Sequence, residues 1–374
     1  MSSVNKVLVI GGGIAGMCAA IQLRKVGVSV DLVEVDKDWR VYGAGITLSG
    51  PTLRGFVEVG IIEAVRRLGA LTDNLELYTP AGQKVAELPT PRVAGPGVPG
   101  AGGIMRPVLA GILRDATLAS GTAVRCGTTF QSITQSAAAV DVVTSDGRSG
   151  TYDLVIGADG LFSAVRKAVF KSAPEPTYTG QSSWRALAPR PATRSGAAMV
   201  MGGRVKVGVN PISGDQMYLF LTAPRETPVL LDDRASLDTL RELLMEFGGF
   251  IGEIRDQLSE KSCALYRPFY KLLVPSPWYV GRVLLIGDAA HATTPHLASG
   301  AGIGVEDAVV LAQEIAKAPT VDAALESFMA RRFERCRMVV ENSVRLGDLE
   351  AQGGSTAEHQ SLMRESMSAL LAPI

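Results

Sequence analysis

A charge imbalance is the first thing this chain lacks: 37 Lys+Arg stand against 37 Asp+Glu, leaving a formal net charge of zero. A nucleic-acid binder carries a basic excess or stripe, so the balance argues against that class. Histidine is scarce, with three residues, and so is cysteine, with four. Cys18, Cys126, Cys263 and Cys336 are scattered with no CxxC pair, which offers no zinc ribbon and no disulfide framework. Free thiols in a reducing cytoplasm are expected. No apolar run approaches the ~18 residues of a membrane span. The amino terminus runs from a short apolar stretch, VLVI, straight into glycines, without the core and cleavage site of a signal peptide. The expectation is a cytoplasmic protein with neither membrane nor nucleic acid among its partners. What is present is 47% hydrophobic residues, 20% charged residues and 374 residues in all, enough for one large or two ordinary domains of a well-packed enzyme.

Residues 6–35 read as strand, glycine turn, helix and strand: KVLVI, GGGIAGMCAAIQLRKVG, then VSVDLVEV ending near Glu34. A short apolar strand leading through a helix to another implies a parallel pair with a right-handed crossover. Residues 89–103, PTPRVAGPGVPGAGG, read as a loop or domain crossing. Pro107 then suits the first turn of a helix. Residues 139–160 read as a hairpin with an Asp-Gly turn followed by a buried strand. From about 176 to 276 the pattern is mostly β-like, in AAMVM, RVKVGV and QMYLFLTA, with a helical patch near 236–258. RVLLIG, at 282–287, is another short buried strand, and residues 302–318 and 322–350 read as long helices. The last twenty residues carry little signal and read as either a helix or a loose tail. The chain is therefore an α/β domain interrupted by a β-rich insertion, and ligand sites favour such domain junctions.

Gly11, Gly13 and Gly16 satisfy G-x-G-x-x-G between a strand and a helix, with Ile14 and Ala15 at the helix start. Gly11 permits the tight turn, Gly13 lets a pyrophosphate approach the backbone, and Gly16 lets helix and strand pack closely. The helix start offers free N–H groups and a positive dipole end to phosphate. Glu34, 18 residues after Gly16 at a strand end, stands where a ribose-binding acid belongs, with Val35 beside it. A dinucleotide site is expected; the glycines alone do not say whether it takes NAD or FAD.

Two of the three histidines, His291 and His296, share the stretch GDAAHATTPHLASG with an aspartate. They are five apart with a proline between them, which is wrong for two ligands on one helical face. A metal is not expected. Two segments decide the cofactor. DLVIGADGLFSAVR places Asp159-Gly160 after a buried strand, with Ser163 and Arg166 on the helix that follows. GRVLLIGDAAHATTP places Gly287-Asp288 after another. With the amino-terminal glycines, this ordered trio resembles the single-component (group A) flavoprotein aromatic hydroxylases, the family of para-hydroxybenzoate and salicylate hydroxylases.

The resemblance implies an FAD-binding Rossmann-like domain of the GR2 type, formed by 1–75, 100–175 and 277–374, a β-sheet-rich substrate domain formed by 76–99 and 176–276, and carboxy-terminal helices. FAD, tightly and non-covalently bound, is the implied cofactor, with NADH or NADPH as co-substrate. Asp288 then resembles the aspartate that holds a ribityl or pyrophosphate oxygen; as a residue it also suits a helix N-cap. Arg106 resembles an arginine near the FAD. Asp159 resembles the aspartate tied to FAD and nicotinamide handling, where a plain structural turn is the alternative. Gly45 and Ile46, in GAGI at 43–46, resemble the loop beside the flavin ring. Gly300, Ala301 and Gly302 resemble the helix start aimed at the flavin pyrimidine edge, and Pro295 a proline packed where oxygen reacts.

The implied activity is a monooxygenase that consumes NAD(P)H and O2 and hydroxylates a small aromatic or heteroaromatic substrate through a C4a-hydroperoxyflavin. The alternative is an oxidase or reductase of the same fold without oxygen insertion. Tyr218 is a candidate to hydrogen-bond or deprotonate a substrate hydroxyl. Arg204, Lys206 or Arg185 is a candidate to pair with a carboxylate or ring oxygen, and His296 a candidate to touch the substrate. Each also suits an ordinary strand or core role, and His291 reads as structural. The sequence leaves oligomeric state open, a homodimer included.

Overall fold

The computed structural model describes residues 4–41, 43–190, 196–201 and 205–374. Two sheets dominate. The first has six strands, in the spatial order Tyr279–Val280, Val283–Leu285, Leu154–Gly157, Lys6–Ile10, Ser29–Glu34, Ala123–Cys126. All but the antiparallel first strand run parallel. Its strands are near-continuous apolar runs because both faces are covered: Val7, Leu8, Val9, Leu154, Val155, Ile156, Val283, Leu284 and Leu285 have no exposed surface. The helix Ile14–Lys25 packs on the helix Gly300–Lys317 across this core.

The register matters most for function. Val9 pairs with Ile156 and Ile156 with Leu284, so three strands about 130 to 150 residues apart in sequence end at one carboxyl edge. Ala158 donates its N–H to Ile10 and Ile286 to Gly157, at 2.8 and 3.1 Å. The glycine turn, the Asp159 loop and the Asp288 loop therefore leave the sheet side by side.

The second sheet has seven strands, ordered Leu265–Lys271, Thr177–Pro189, Gln216–Pro224, Lys206–Pro211, Ala197–Val200, Asn74–Tyr78, Lys84–Pro89. Its outer face carries Trp184, Ala186, Val207, Val209, Met217, Leu219 and Leu221 into a core closed by the helices Asp233–Leu243 and Gly249–Gln257. Its other face is turned toward the first unit. Tyr218 and Asn210 of this face meet Thr47, on the strand Gly45–Ser49, and Lys206 meets Glu350, on the helix Val321–Gln352.

One sequence reading needs correction, and one left open is decided. The stretch 89–103 is not loop throughout. Ala101–Met105 is a strand that pairs antiparallel with Gly45–Ser49 and with Ala70–Thr72. Glycine is ordinarily poor in a strand, but at Gly102 and Gly103 a Cβ would overlap Leu71 and Pro211, so close backbone approach requires it there. The weakly signalled carboxy-terminal residues form a helix, Thr356–Leu371, capped by the Ser355 side chain.

Candidate active site

The glycine turn behaves as its residue types dictate. At Gly11, with φ +110°, and at Gly16 an added Cβ would overlap Ala158 and the Gly11 carbonyl respectively, whereas at Gly13 it would meet nothing within 4 Å. Gly13 is exposed. The turn is thus packed on two of its glycines and open at the third, which is the geometry a pyrophosphate needs.

Gly12 has a different cause. Its Cα lies under the indole of Trp39, whose Nε1–H donates to the Gly12 carbonyl at 2.9 Å. Trp39 is buried and sits at φ +49°, a region non-glycine residues rarely occupy. Glu34 lies in the same knot, accepting from the N–H of Gly12 at 2.6 Å and of Asp36 at 2.8 Å. A carboxylate has about four acceptor positions, so the two oxygens keep capacity for a ribose. Val35 points its side chain outward, 71% exposed. The sequence signal for Trp39 is Gly12, the middle glycine of the run, which the fingerprint does not require.

Asp159 is occupied locally: Oδ1 accepts from the Ser163 hydroxyl at 2.5 Å and Oδ2 from the Val165 N–H at 3.0 Å. Its carboxylate shapes the turn, while Gly160, at φ +79°, faces open space. Arg166 is an organiser that the sequence reading quoted without a role. It is fully buried and donates to the carbonyls of Ala289 at 3.0 Å and Leu161 at 2.8 Å, lashing the Asp159 loop to the Asp288 loop.

Asp288 is exposed to solvent, yet it sits low in the recess. The surrounding protein desolvates its carboxyl and pushes its pKa up, against the opposing pull of His291 and Arg106. Gly287, at φ +59°, packs its Cα over Ala15, and its N–H donates to Asp307 at 2.9 Å. His291 Nε2 meets the same Asp307 oxygen at 2.6 Å, so His291 braces the loop that presents Asp288. Burial opposes a charged ring there, but Cys336 and Asp307 outweigh it and raise the imidazole well above its ordinary value.

His291, Asp307 and Cys336 come close enough together to suggest a metal. The centre of that cluster already holds a cation. Arg332 donates to Asp307 at 2.9 Å, to Glu306 at 2.8 Å and to Cys336 at 3.2 Å. Arg335 adds two more bonds to Glu306, at 2.8 and 2.9 Å.

The helix Gly300–Lys317 points its start into the recess. Gly300 and Ala301 are partly exposed, whereas Gly302 is buried where a Cβ would overlap Thr52. Pro295 is partly exposed and opens a 3-10 turn that ends at Ala298, φ +48°. His296 turns away from the recess. Its Nδ1 meets Thr294 Oγ1 at 2.9 Å, and its ring lies over Gly347 with Nε2 3.5 Å from Glu350. Burial lowers its pKa to about 4, leaving a neutral core histidine, so the structure gives it no access to a substrate.

Gly45 and Ile46 are buried where the recess meets the second sheet. Gly45 lies under the ring of Tyr218, so close that no Cβ fits. The Tyr218 hydroxyl hydrogen-bonds Thr47 Oγ1 and accepts from Asn210 Nδ2 at 3.3 Å. A hydroxyl committed to that trio positions the Gly45 loop and is not presented as a base. Lys206 is spent on Glu350 at 2.8 Å. Arg204 lies outside the described residues. Arg106 folds over Gly43, and its buried Nε has no hydrogen-bond partner among the described residues.

These features fit FAD: an open glycine cradle, a ribose acid, an aspartate on the recess floor and a helix start beside it. The chain matches the FAD binding domain family over residues 5–343 and belongs to it. It is 33% identical to the aurachin C monooxygenase/isomerase of Stigmatella aurantiaca over 352 residues, 92% of this chain and 89% of that protein. To the 2-heptyl-3-hydroxy-4(1H)-quinolone synthase of Pseudomonas aeruginosa it is 31% identical over 355 residues, again 92% and 89%. The crystal structure of Klebsiella pneumoniae HpxO complexed with FAD and uric acid shares the fold with a TM-score of 0.86 at 24% identity, covering 98% of this chain and 95% of that one. The chain is an FAD-dependent monooxygenase of the group A flavoprotein hydroxylase type. Among the described residues, no helix is long and apolar enough to cross a membrane.

Proposed function

We propose that the chain hydroxylates a small aromatic or heteroaromatic ring, using NADH or NADPH and dioxygen, in the space between the carboxyl edge of the parallel sheet and the inner face of the seven-stranded sheet. One observation carries this reading: the register brings the Gly13, Asp159 and Asp288 loops to one edge, and the sheet face that carries Tyr218 and Phe220 stands opposite. The curated relatives named for quinolone, urate and aminohydroxybenzoate chemistry support a ring substrate.

In this reading Gly13 and the helix start at Ile14 and Ala15 take the pyrophosphate, and Glu34 the ribose. Asp288 holds the ribityl chain, and the N–H groups of Gly300 and Ala301 face the pyrimidine edge, where a helix dipole contributes about 0.3–1 kcal/mol, up to ~2 when partly buried. FAD, when bound and reduced, supplies the activation of dioxygen. The protein's own work is to orient the ring, fix the loop Gly43–Ile46 under Tyr218, and keep water out with Pro295 and the Phe220 side of the sheet face.

The test is purification with FAD, followed by a panel of aromatic compounds scored for stimulated NAD(P)H oxidation, hydroxylated product and released peroxide together. Product formation matched to NAD(P)H consumption supports hydroxylation. Peroxide alone with every compound returns the reading to an oxidase of the same fold.

A further inference from the structure

Glu350, near the end of the helix Val321–Gln352, is met from three other elements of the fold. Lys206, on the strand Lys206–Pro211 of the seven-stranded sheet, donates to Glu350 Oε1 at 2.8 Å. His359, on the helix Thr356–Leu371, meets the same oxygen at 2.9 Å. His296, on the turn Pro295–Leu297, stands with Nε2 3.5 Å from Oε2. Burial opposes the carboxylate charge, but Lys206, His359 and His296 outweigh it and hold the pKa at about 2. One anion therefore joins the seven-stranded sheet, the last helix and the turn that carries Pro295.

The helix is shaped for this meeting one turn earlier, at Gly347. Gln181, on the strand Thr177–Pro189, donates from Nε2 to the Gly347 carbonyl. The His296 ring lies over the same glycine, and a Cβ there would stand 2.6 Å from it. Glycine inside a helix is unfavourable, so its place here follows from the close approach and not from helix formation. The Pro295 turn ends at Ala298, whose φ of +48° an alanine keeps only where its surroundings hold it. The His296 ring supplies that hold. It is fixed by Thr294 Oγ1 at 2.9 Å, by Phe269 edge-on with ring centroids 6.0 Å apart, and by Gly347 beneath it.

Resting on the monooxygenase reading, which sets Pro295 beside the flavin, we propose that Glu350 is a positioning residue for hydroxylation. Through the His296 ring, packed on Gly347, it fixes the spacing between the Pro295 turn and the seven-stranded sheet. While that spacing holds, NAD(P)H, one proton and one dioxygen convert the ring to its hydroxylated form, with NAD(P)+ and water as the other products. When it slackens and water enters, the same two electrons and proton reduce dioxygen to hydrogen peroxide, and the ring is left unchanged.

The experiment takes FAD-loaded enzyme, reduced anaerobically with dithionite, and mixes it with air-saturated buffer, so that no ring substrate is needed. Flavin absorption follows reoxidation, and acrylamide quenching of flavin fluorescence reports solvent access to the oxidised cofactor. Melting temperature and FAD dissociation constant are measured beside them. Glu350→Gln should reoxidise roughly fivefold faster or more and quench more, with the FAD dissociation constant within about twofold of wild type. Lys206→Met should move both readings the same way, and so should Gly347→Ala, which alters no charge and pushes on the His296 ring. Lys206→Arg, which keeps the charge, should retain most of the wild-type behaviour. Glu350→Gln and His296→Gln should be non-additive, the double variant matching the larger single one. Opposite shifts in Glu350→Gln and Lys206→Met overturn the proposal, because a through-space charge effect has that pattern of signs. Additive effects of Glu350→Gln and His296→Gln overturn it, as does loss of FAD by a folded Glu350→Gln. Unchanged reoxidation and quenching with a lowered melting temperature make Glu350 a structural tie only and overturn it too. Should Glu350→Gln not fold, faster reoxidation in both Lys206→Met and Gly347→Ala supports the proposal, and slower or unchanged reoxidation in either overturns it. A wild type that yields peroxide alone with every compound of the aromatic panel fails the monooxygenase reading whatever the variants do. Hydroxylated product from wild type with unchanged variants fails this proposal alone.

Discussion

Two groups of arginines in this molecule are opposites. Behind the helix Gly300–Lys317, Arg332 and Arg335 meet Glu306 and Asp307 in bonds of 2.8 to 2.9 Å, and both Arg332 and Asp307 have no exposed surface. At the recess, Arg106 lies close enough to Arg185 to oppose its charge, and neither has a carboxylate partner among the described residues. The first group is closed and holds the Gly287 backbone. The second is open. A buried cation with its anion is architecture; a partly exposed one without it keeps its donors available.

Breaking the closed group should cost most. Arg332→Met leaves Asp307 buried without its arginine, with His291, the Gly287 N–H and the Cys336 thiol as its remaining partners among the described residues, and should lower unfolding stability by about 3–5 kcal/mol in a chemical denaturation series. A loss near zero would mean that the group is not the closed element described here.

The charged knot between the two sheets comes next. His296 is near pKa 4 when folded and 6.5 when free, so the unfolded chain binds more protons between those values. Stability supported by the neutral ring is complete above about pH 6.5 and is lost as pH falls toward 4, by at most about 3 kcal/mol. Glu350, held near 2 against an ordinary 4.5, adds a loss of the same sign below pH 4.5. Melting temperature against pH for wild type and His296→Gln should show a shallower fall between pH 6.5 and 4.5 in the variant.

Filling the open cradle separates binding from folding. At Gly13 an added Cβ meets no protein atom within 4 Å, so the Gly13→Ala apoprotein should melt normally while its FAD dissociation constant rises roughly 100-fold. Reconstitution with FAD followed by fluorescence measures it. Gly16→Val, which overlaps the Gly11 carbonyl, should unfold the turn instead.

The smallest effect concerns Trp39. Trp39→Phe removes the bond to the Gly12 carbonyl, a loss of about 1 kcal/mol, and should raise the FAD dissociation constant several-fold. An unchanged constant with a lowered apoprotein melting temperature would make Trp39 a packing residue only.

The two sides of the recess also differed in how far they could be read in advance. The cofactor side is built largely from backbone. Gly11, Gly13, Gly16, Gly287 and the helix starts are specified by residue type at short spacing, so they were visible in the sequence. Residues whose work depends on distant partners were not. Arg166 needed the carbonyl of Ala289, and His291 needed Asp307. Tyr218 and His296 looked chemical by type. The packing commits one to Thr47 and Asn210 and turns the other toward Gly347.

By itself the sequence determined the parallel α/β core, the cofactor turn and the β-rich insertion, because strand periodicity and glycine chemistry act within a few residues. Only the tertiary structure decided which charges are spent and which are free. Arg185, Lys206 and Arg332 are equally basic on the page; what separates them is whether an acceptor from another strand or helix lies within bonding distance, and that is set by register and packing across the whole chain.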